Sequence, residues 1–146
     1  MRFFTVYGPW GRPDMAPLKF LRSILENKTI QVYNYGNMLR DFTYIDDIAE
    51  GVKRIIYSDN QVTGVPNRVY NIGCSHPVSL MDFIHTIEKI VGKKASLEML
   101  AMQSGDVVCT YADTTRLQKD FGYTPSVSLE AGMLRLYTWY KSYYNV

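Results

Sequence analysis

Short runs of apolar and β-branched residues alternate along this chain with longer stretches in which apolar residues return every three or four positions. The two rhythms predict strands and helices in turn. Arg2-Phe3-Phe4-Thr5-Val6-Tyr7 reads as one strand running into a Gly8-Pro9 turn, followed by the loop Trp10-Gly11-Arg12-Pro13-Asp14-Met15, whose glycine and prolines fix the backbone path. Leu18, Leu21, Ile24 and Leu25 predict a helix over 16–26. Ile30-Gln31-Val32-Tyr33 then reads as a strand, Asn34-Tyr35-Gly36-Asn37 as a turn, and 41–45 as a second extended piece.

Helix starts carry their own chemistry. Asp47 with Glu50 three residues later fits a capping box, and Ile48, Val52, Ile55 and Ile56 form an apolar face as far as 57. Val78-Ser79-Leu80-Met81-Asp82-Phe83 is a sharper signal: Ser79 caps, Asp82 answers it, and Val78 can staple against Phe83. Leu80, Ile84, Ile87 and Val91 carry that helix to a Gly92 stop. Strands are predicted at 69–72 and 95–99, an extended stretch at 107–111, a short helix at 113–121 and a last helix from Ser128 to about 143. Residues 58–67 read as a polar surface connection. The final helix is crowded with Tyr137, Trp139, Tyr140, Tyr143 and Tyr144. Either Leu136, Tyr140 and Tyr143 pack on the body while the other rings half-cover it, or the belt meets a partner. The order of elements predicts an α/β lobe with a small sheet and no internal repeat.

Composition narrows the classes. With 146 residues, 47% hydrophobic and 21% charged, the chain can bury a sizeable core. Its 16 basic and 14 acidic residues leave a formal charge of +2 and no basic stripe, so nucleic acid is not an expected partner. Lys93-Lys94 is the longest basic cluster and is placed on a solvated loop. Cys74 and Cys109 fit no metal or redox spacing and read as buried thiols. With only His76 and His85 beside them, no metal site is expected. No apolar run approaches the roughly 20 residues that span a membrane, and no secretory leader pattern opens the chain, so a cytoplasmic location is expected.

Candidate chemistry is sparse. There is no glycine-rich dinucleotide fingerprint and no Gly-Lys-Ser/Thr loop; Gly8 and Gly11, with Pro9 between them, are a weak substitute. Asp46-Asp47 is better used at a helix start than as an acid/base pair. Arg40 can reach an anionic ligand with its rigid fork of donors, or can pair with Asp41 at the surface.

Five segments taken together say more. Residues Arg2 to Ala16, Val32-Tyr33-Asn34-Tyr35-Gly36, Arg40-Asp41-Phe42-Thr43-Tyr44-Ile45-Asp46-Asp47-Ile48, Tyr70-Asn71-Ile72-Gly73 and Gln103-Ser104-Gly105-Asp106-Val107 resemble, in order, the nucleotide-sugar epimerases of the extended short-chain dehydrogenase/reductase family. Within it, the Arg-Pro-Asp-Met loop and the Val-Tyr-Asn-Tyr-Gly turn are most similar to UDP-glucuronate 4-epimerases. The likeness implies an α/β fold in which residues 1–146 form the C-terminal, nucleotide-sugar-binding portion and one terminal strand belongs to the Rossmann sheet. The family's NAD fingerprint, catalytic Tyr-x-x-x-Lys and catalytic Ser/Thr would lie upstream of the Arg2 strand. No catalytic residue is therefore expected here, and NAD is expected to bind only in the full-length enzyme. Met1 reads either as a native start or as an internal one.

Carried over residue by residue, the resemblance implies that Tyr7, Gly8 and Pro9 line the nicotinamide side of a cleft. Thr5 and Arg12 would hold the sugar carboxylate, unless Thr5 only packs in its strand and Arg12 only braces Asp14. Val32 and Tyr33 would border the uracil, Arg40 would pair with the diphosphate, and Gln103 and Asp106 would face the ribose and phosphates. Gln103 stands where many relatives have arginine, which leaves Arg40 more of the phosphate work. The implied chemistry of the full enzyme is removal and return of the C4 hydride through a 4-keto sugar, with a UDP-sugar as partner and a homodimer as a possible assembly. A related decarboxylase or 4,6-dehydratase, or a non-catalytic binding module, are the alternatives.

Overall fold

A computed structural model describes residues 1–58 and 67–146. The surface connection expected at 58–67 therefore lies largely outside the described residues. The strands are short and interrupted. β1 (Arg2–Phe3) and β2 (Val6–Tyr7) replace the single expected strand, because the chain changes partner at Phe4-Thr5. β1 pairs in parallel with β6 (Asn71–Ile72), whereas β2 pairs in parallel with β5 (Thr43–Tyr44). β3 (Ile30–Val32) lies parallel to β8 (Leu97–Met99), and β4 (Leu39–Arg40) antiparallel to β7 (Val78–Ser79). Instead of one small sheet, the described strands form four two-stranded pairs, held together by the helices between them.

The helices follow the apolar periodicity. α1 (Ala16–Leu25) buries Leu18, Phe20, Leu21 and Ile24. α3 (Leu80–Val91) starts where expected: the Ser79 hydroxyl accepts the Asp82 N–H at 3.0 Å, and the helix stops at a left-handed Gly92. Val78 packs on the core that contains Phe83, consistent with the staple. α5 (Leu129–Tyr144) is capped by Ser128, which accepts the Ala131 N–H at 3.2 Å. α2 (Ile45–Ile56) departs from expectation: it begins two residues before Asp47, and Tyr44 at its start makes no side-chain cap. Asp47 instead sits in the first turn, where its charge suits the helix dipole, and is spent on a distant loop. Ile56 falls off the apolar face and is exposed, while Ile48 is buried.

The larger core gathers α1, α3, α5 and the inner faces of β3 and β5, with Phe42 stacked on Phe83 at 4.1 Å between ring centres. A smaller one packs Ile48, Tyr70, Ile72 and Tyr123 beneath α4 (Thr115–Phe121). On α5, Gly132 lets the helix press onto Tyr7; an added Cβ would strike the Tyr7 hydroxyl and approach Tyr44 Cδ2 to 2.9 Å. Leu136 and Tyr140 are buried as expected, but Tyr143 is 51% exposed and stacks on Trp139 instead of packing on the body. Residues 107–111 form no strand, only a bridge from Cys109 to Leu39, with the Val108 carbonyl and the Thr110 N–H bonded to the Leu39 backbone. Both cysteines are free; Cys109 is exposed and Cys74 half-buried, so neither is the buried thiol expected. No described helix is long and apolar enough to cross a membrane.

Candidate functional site

The break between β1 and β2, the end of β3, β4, and the loop after β8 converge on one cavity of ≈ 210 Å³. Thr5, Gln31, Tyr33, Arg40 and Asp106 line its polar rim, over a floor of Phe20, Met38, Phe42 and Leu80. The rim is shaped by an unusual turn. Tyr33–Gly36 is a 3₁₀ turn in which Asn34 and Tyr35 both take left-handed backbone angles, a conformation that costs a non-glycine residue about 1–2 kcal/mol. Asn34 offsets part of this by donating its side-chain amide to the Asn37 carbonyl at 2.8 Å, and Gly36, at φ 83°, completes the turn. Tyr33 is thereby turned beside Gln31, to whose side-chain oxygen its hydroxyl donates at 3.2 Å.

Among the described residues, Arg40 is the one cation lining this cavity. Its Nη2 meets Asp106 Oδ1 at 2.9 Å, and its Nη1 donates to the carbonyls of Leu39 and Val108 at 3.0 and 3.2 Å. The pair is partly accessible, with 17% of the arginine side chain and 35% of the aspartate exposed. Arg40 thus turns toward Asp106 and not toward its neighbour Asp41.

Asp41 points the other way and is fully buried. Its carboxylate accepts the backbone N–H groups of Cys74, Ser75 and Ala112 at 2.9, 3.0 and 2.9 Å. Three amide donors satisfy a carboxylate that burial would otherwise penalise heavily. Asp47 repeats the device: it accepts the N–H groups of Ser126 and Val127 and the Ser126 hydroxyl at 3.0–3.1 Å, tying α2 to the approach of α5. Sequence reasoning missed both roles. The available signal for Asp41 was its place beside Arg40 in an extended segment, where neighbouring side chains project to opposite faces.

The expected site residues divide. Thr5, Tyr33, Arg40 and Asp106 meet at the one cavity. Val32 is fully buried in the core behind it, and Gln103 is exposed on the loop after β8. Arg12 stands in solvent, paired with Asp14 through its Nε at 3.1 Å and its Nη2, and does not line the cavity that Thr5 lines. That hydrogen bond raises the guanidinium's affinity for its proton and lowers the Asp14 carboxyl below its ordinary range.

Tyr7, Gly8 and Pro9 line a second cavity of ≈ 330 Å³ with Trp10, Arg12 and Ile45. The Tyr7 ring itself is buried in the core, edge-on to Tyr44, and burial pushes its phenol well above the ordinary range. Gly8 presses against Ile45, so its missing side chain serves packing and not an open cradle. These residues could form a wall beside a dinucleotide, but the described residues hold no backbone cradle for its phosphates. A Tyr-x-x-x-Lys spacing does occur, at Tyr137 and Lys141, which the sequence reading passed over; the ammonium lies 4.5 Å from the Tyr137 ring centre on α5, and neither residue lines the Arg40 cavity. The described residues contain no cluster able to hold a metal ion.

The NAD dependent epimerase/dehydratase family matches residues 1–73, half of the chain. The chain belongs to that family. It is 45% identical to a probable UDP-glucuronate 4-epimerase of Rhizobium meliloti, over 99% of its own length and 46% of that relative. It is 40% identical to UDP-glucuronate 4-epimerase 2 of Arabidopsis thaliana, over 99% of its length and 36% of that protein. The UDP-glucuronic acid 4-epimerase of Bacillus cereus, solved with UDP-glucuronic acid and NAD, superposes with a TM-score of 0.89 at 37% identity, covering 98% of this chain and 45% of that one. The chain therefore spans less than half the length of these relatives. Its α/β fold, with mixed parallel and antiparallel pairs, is that of the extended short-chain dehydrogenase/reductase epimerases.

Proposed function

We propose that residues 1–146 form the nucleotide-sugar-binding portion of an NAD-dependent UDP-glucuronate 4-epimerase, with β1 joining the family's larger parallel sheet. The observation that carries this reading is the cavity in which Arg40 and Asp106 stand at the rim beside Tyr33 and Thr5, over an apolar floor. A nucleoside diphosphate sugar presents matching chemistry: a flat base with polar edges, a polyhydroxylated ribose, and a doubly charged diphosphate. Arg40 supplies a planar fork for the phosphate oxygens, which lysine could not reproduce. Tyr33 and Gln31 offer a ring face and amide groups to the base, Asp106 accepts from the ribose hydroxyls, and Thr5 directs a hydroxyl toward the hexose.

The contribution of this chain is binding and orientation. NAD would take up and return the hydride in the complete enzyme, and nothing among the described residues supplies its phosphate cradle. Arg12 would reach a sugar carboxylate only after exchanging Asp14, which the exposure of that pair permits at small expense.

The reading is tested by titrating the 146-residue chain with UDP-glucuronate, UDP-glucose and uridine. Binding of both UDP-sugars, with uridine much weaker, is the expected result. Equal affinity for uridine and the UDP-sugars would remove the diphosphate from the site. In an enzyme completed by the missing portion, a C4 epimer that retains its carboxylate is expected; release of carbon dioxide would favour the decarboxylase.

A further inference from the structure

Beyond β8 the chain forms an arch. Leu100 is held to β3 by its N–H on the Val32 carbonyl at 2.9 Å, and Val108 is held to β4 by accepting the Leu39 N–H at 2.8 Å. Between these two anchors, residues 101–107 are all exposed. Gly105, at φ 84° with open space around it, lets the arch turn, and the Asp106 N–H closes that turn on the Gln103 carbonyl at 3.3 Å. Among the described residues, the Arg40–Asp106 pair is the sole hydrogen bond or ion pair that ties the arch to the body. The Asp106 carboxylate is presented for this by its own loop, since Oδ1 also accepts the Val107 N–H at 2.8 Å.

The downstream anchor is of a different kind. Thr110 donates its N–H to the Leu39 carbonyl and accepts the Asp41 N–H on its hydroxyl, while Ala112 donates to the buried Asp41 carboxylate. Three further ties thus lie beyond Val108, two of them made by a residue with no exposed surface. The arch is fixed at its root and held at its crown by one accessible pair.

We propose that Asp106 is a stand-in anion: in the absence of ligand its carboxylate occupies the Arg40 donors and latches the arch over the cavity, and a diphosphate group entering the site displaces it and frees the crown. This rests on the assignment of Arg40 to the diphosphate. An accessible guanidinium–carboxylate pair is weak in water and exchanges readily, whereas a diphosphate offers more charge and more oxygens to the same fork. The Val108 carbonyl keeps Arg40 aimed at the rim through the exchange, because it uses Nη1 and leaves Nη2 for the anion.

Inorganic pyrophosphate isolates the exchange, having no ribose for Asp106 to meet. In the 146-residue chain, Asp106→Asn is expected to bind pyrophosphate about fivefold more tightly than wild type, since the competing charge is gone. Pyrophosphate titrated into wild type is expected to shift the amide resonances of residues 103–107 and to speed their hydrogen exchange. Arg40→Ala is expected to lose pyrophosphate binding. If Arg40→Ala loses binding but Asp106→Asn binds no more tightly and the arch resonances stay still, the latch is overturned while Arg40 keeps its phosphate role. If Arg40→Ala binds pyrophosphate as wild type does, both assignments fall. Thermal unfolding of Asp106→Asn within a few degrees of wild type shows that its affinity is read on the intact fold.

Discussion

Arg40 and Asp41 are neighbours in the chain, yet they belong to regions that treat charge in opposite ways. The rim around Arg40 pairs it with one partly exposed carboxylate, Asp106. The junction behind it buries Asp41 completely and surrounds its carboxylate with three backbone donors from two other segments. Solvent screens and renews the first interaction; nothing can substitute for the second. On the proposed reading the contrast separates a charge kept for a ligand from a charge kept for the fold, and each of the following changes falls on one side of it.

The largest expected effect lies in the junction. Asp41→Ala leaves three inward-facing N–H groups without a partner and is expected to lower stability by about 3–5 kcal/mol in urea unfolding. A loss below about 1 kcal/mol would mean that those amides find water and that the junction is no more fixed than the rim. Next comes the interior contact of α5 with Tyr7. Gly132→Ala forces a methyl against the Tyr7 hydroxyl and the Tyr44 ring and is expected to cost about 1–3 kcal/mol, read in the same way.

A smaller effect follows from two buried phenols. Burial, with lesser help from nearby acidic groups, raises Tyr7 and Tyr123 above their ordinary value of 10.0. The unfolded chain ionises these groups first, so their contribution to stability is whole below pH 10 and is lost as the pH rises beyond it. Unfolding free energy measured across that range should fall above pH 10, and Tyr7→Phe should flatten the fall. An unchanged slope would place the phenol in contact with solvent. The smallest effect belongs to the loop: Arg12→Ala, which removes a solvent-exposed pair with Asp14, is expected to leave the unfolding midpoint where it was.

What the sequence made legible was local or motif-borne. Ser79, Gly92 and Ser128 signal their helix ends through chemistry within four residues, and the structure bears each one out. The family was legible because its motifs are contiguous. The strand breaks were not: Phe4-Thr5 divides one apolar run only because Ile72 and Thr43 lie on different partners, a fact set by distant chain. Asp47 looked like a cap because capping is a local rule, but Ser126 and Val127 bid for its carboxylate from across the molecule. The surface pair with Asp41, one of the two alternatives open to Arg40, rests on the same local rule, and the structure pairs Arg40 with Asp106 instead. Of the expected site, Thr5, Tyr33, Arg40 and Asp106 converge, whereas Arg12 and Gln103 do not line that cavity; Asp106 and Gln103 share one exposed loop, whose direction no periodicity encodes.

The central claim is that Arg40 serves the ligand and not the fold, and one variant reads both. Arg40→Ala, measured for unfolding free energy and for UDP-glucuronate affinity on the same preparation, is expected to lose about 2–5 kcal/mol of binding while stability changes by less than about 1 kcal/mol. Arg40→Lys should recover only part of the binding, because an ammonium cannot reproduce the planar fork. Unchanged UDP-glucuronate affinity in a folded Arg40→Ala chain, or a loss of stability comparable to that of Asp41→Ala, would contradict the account.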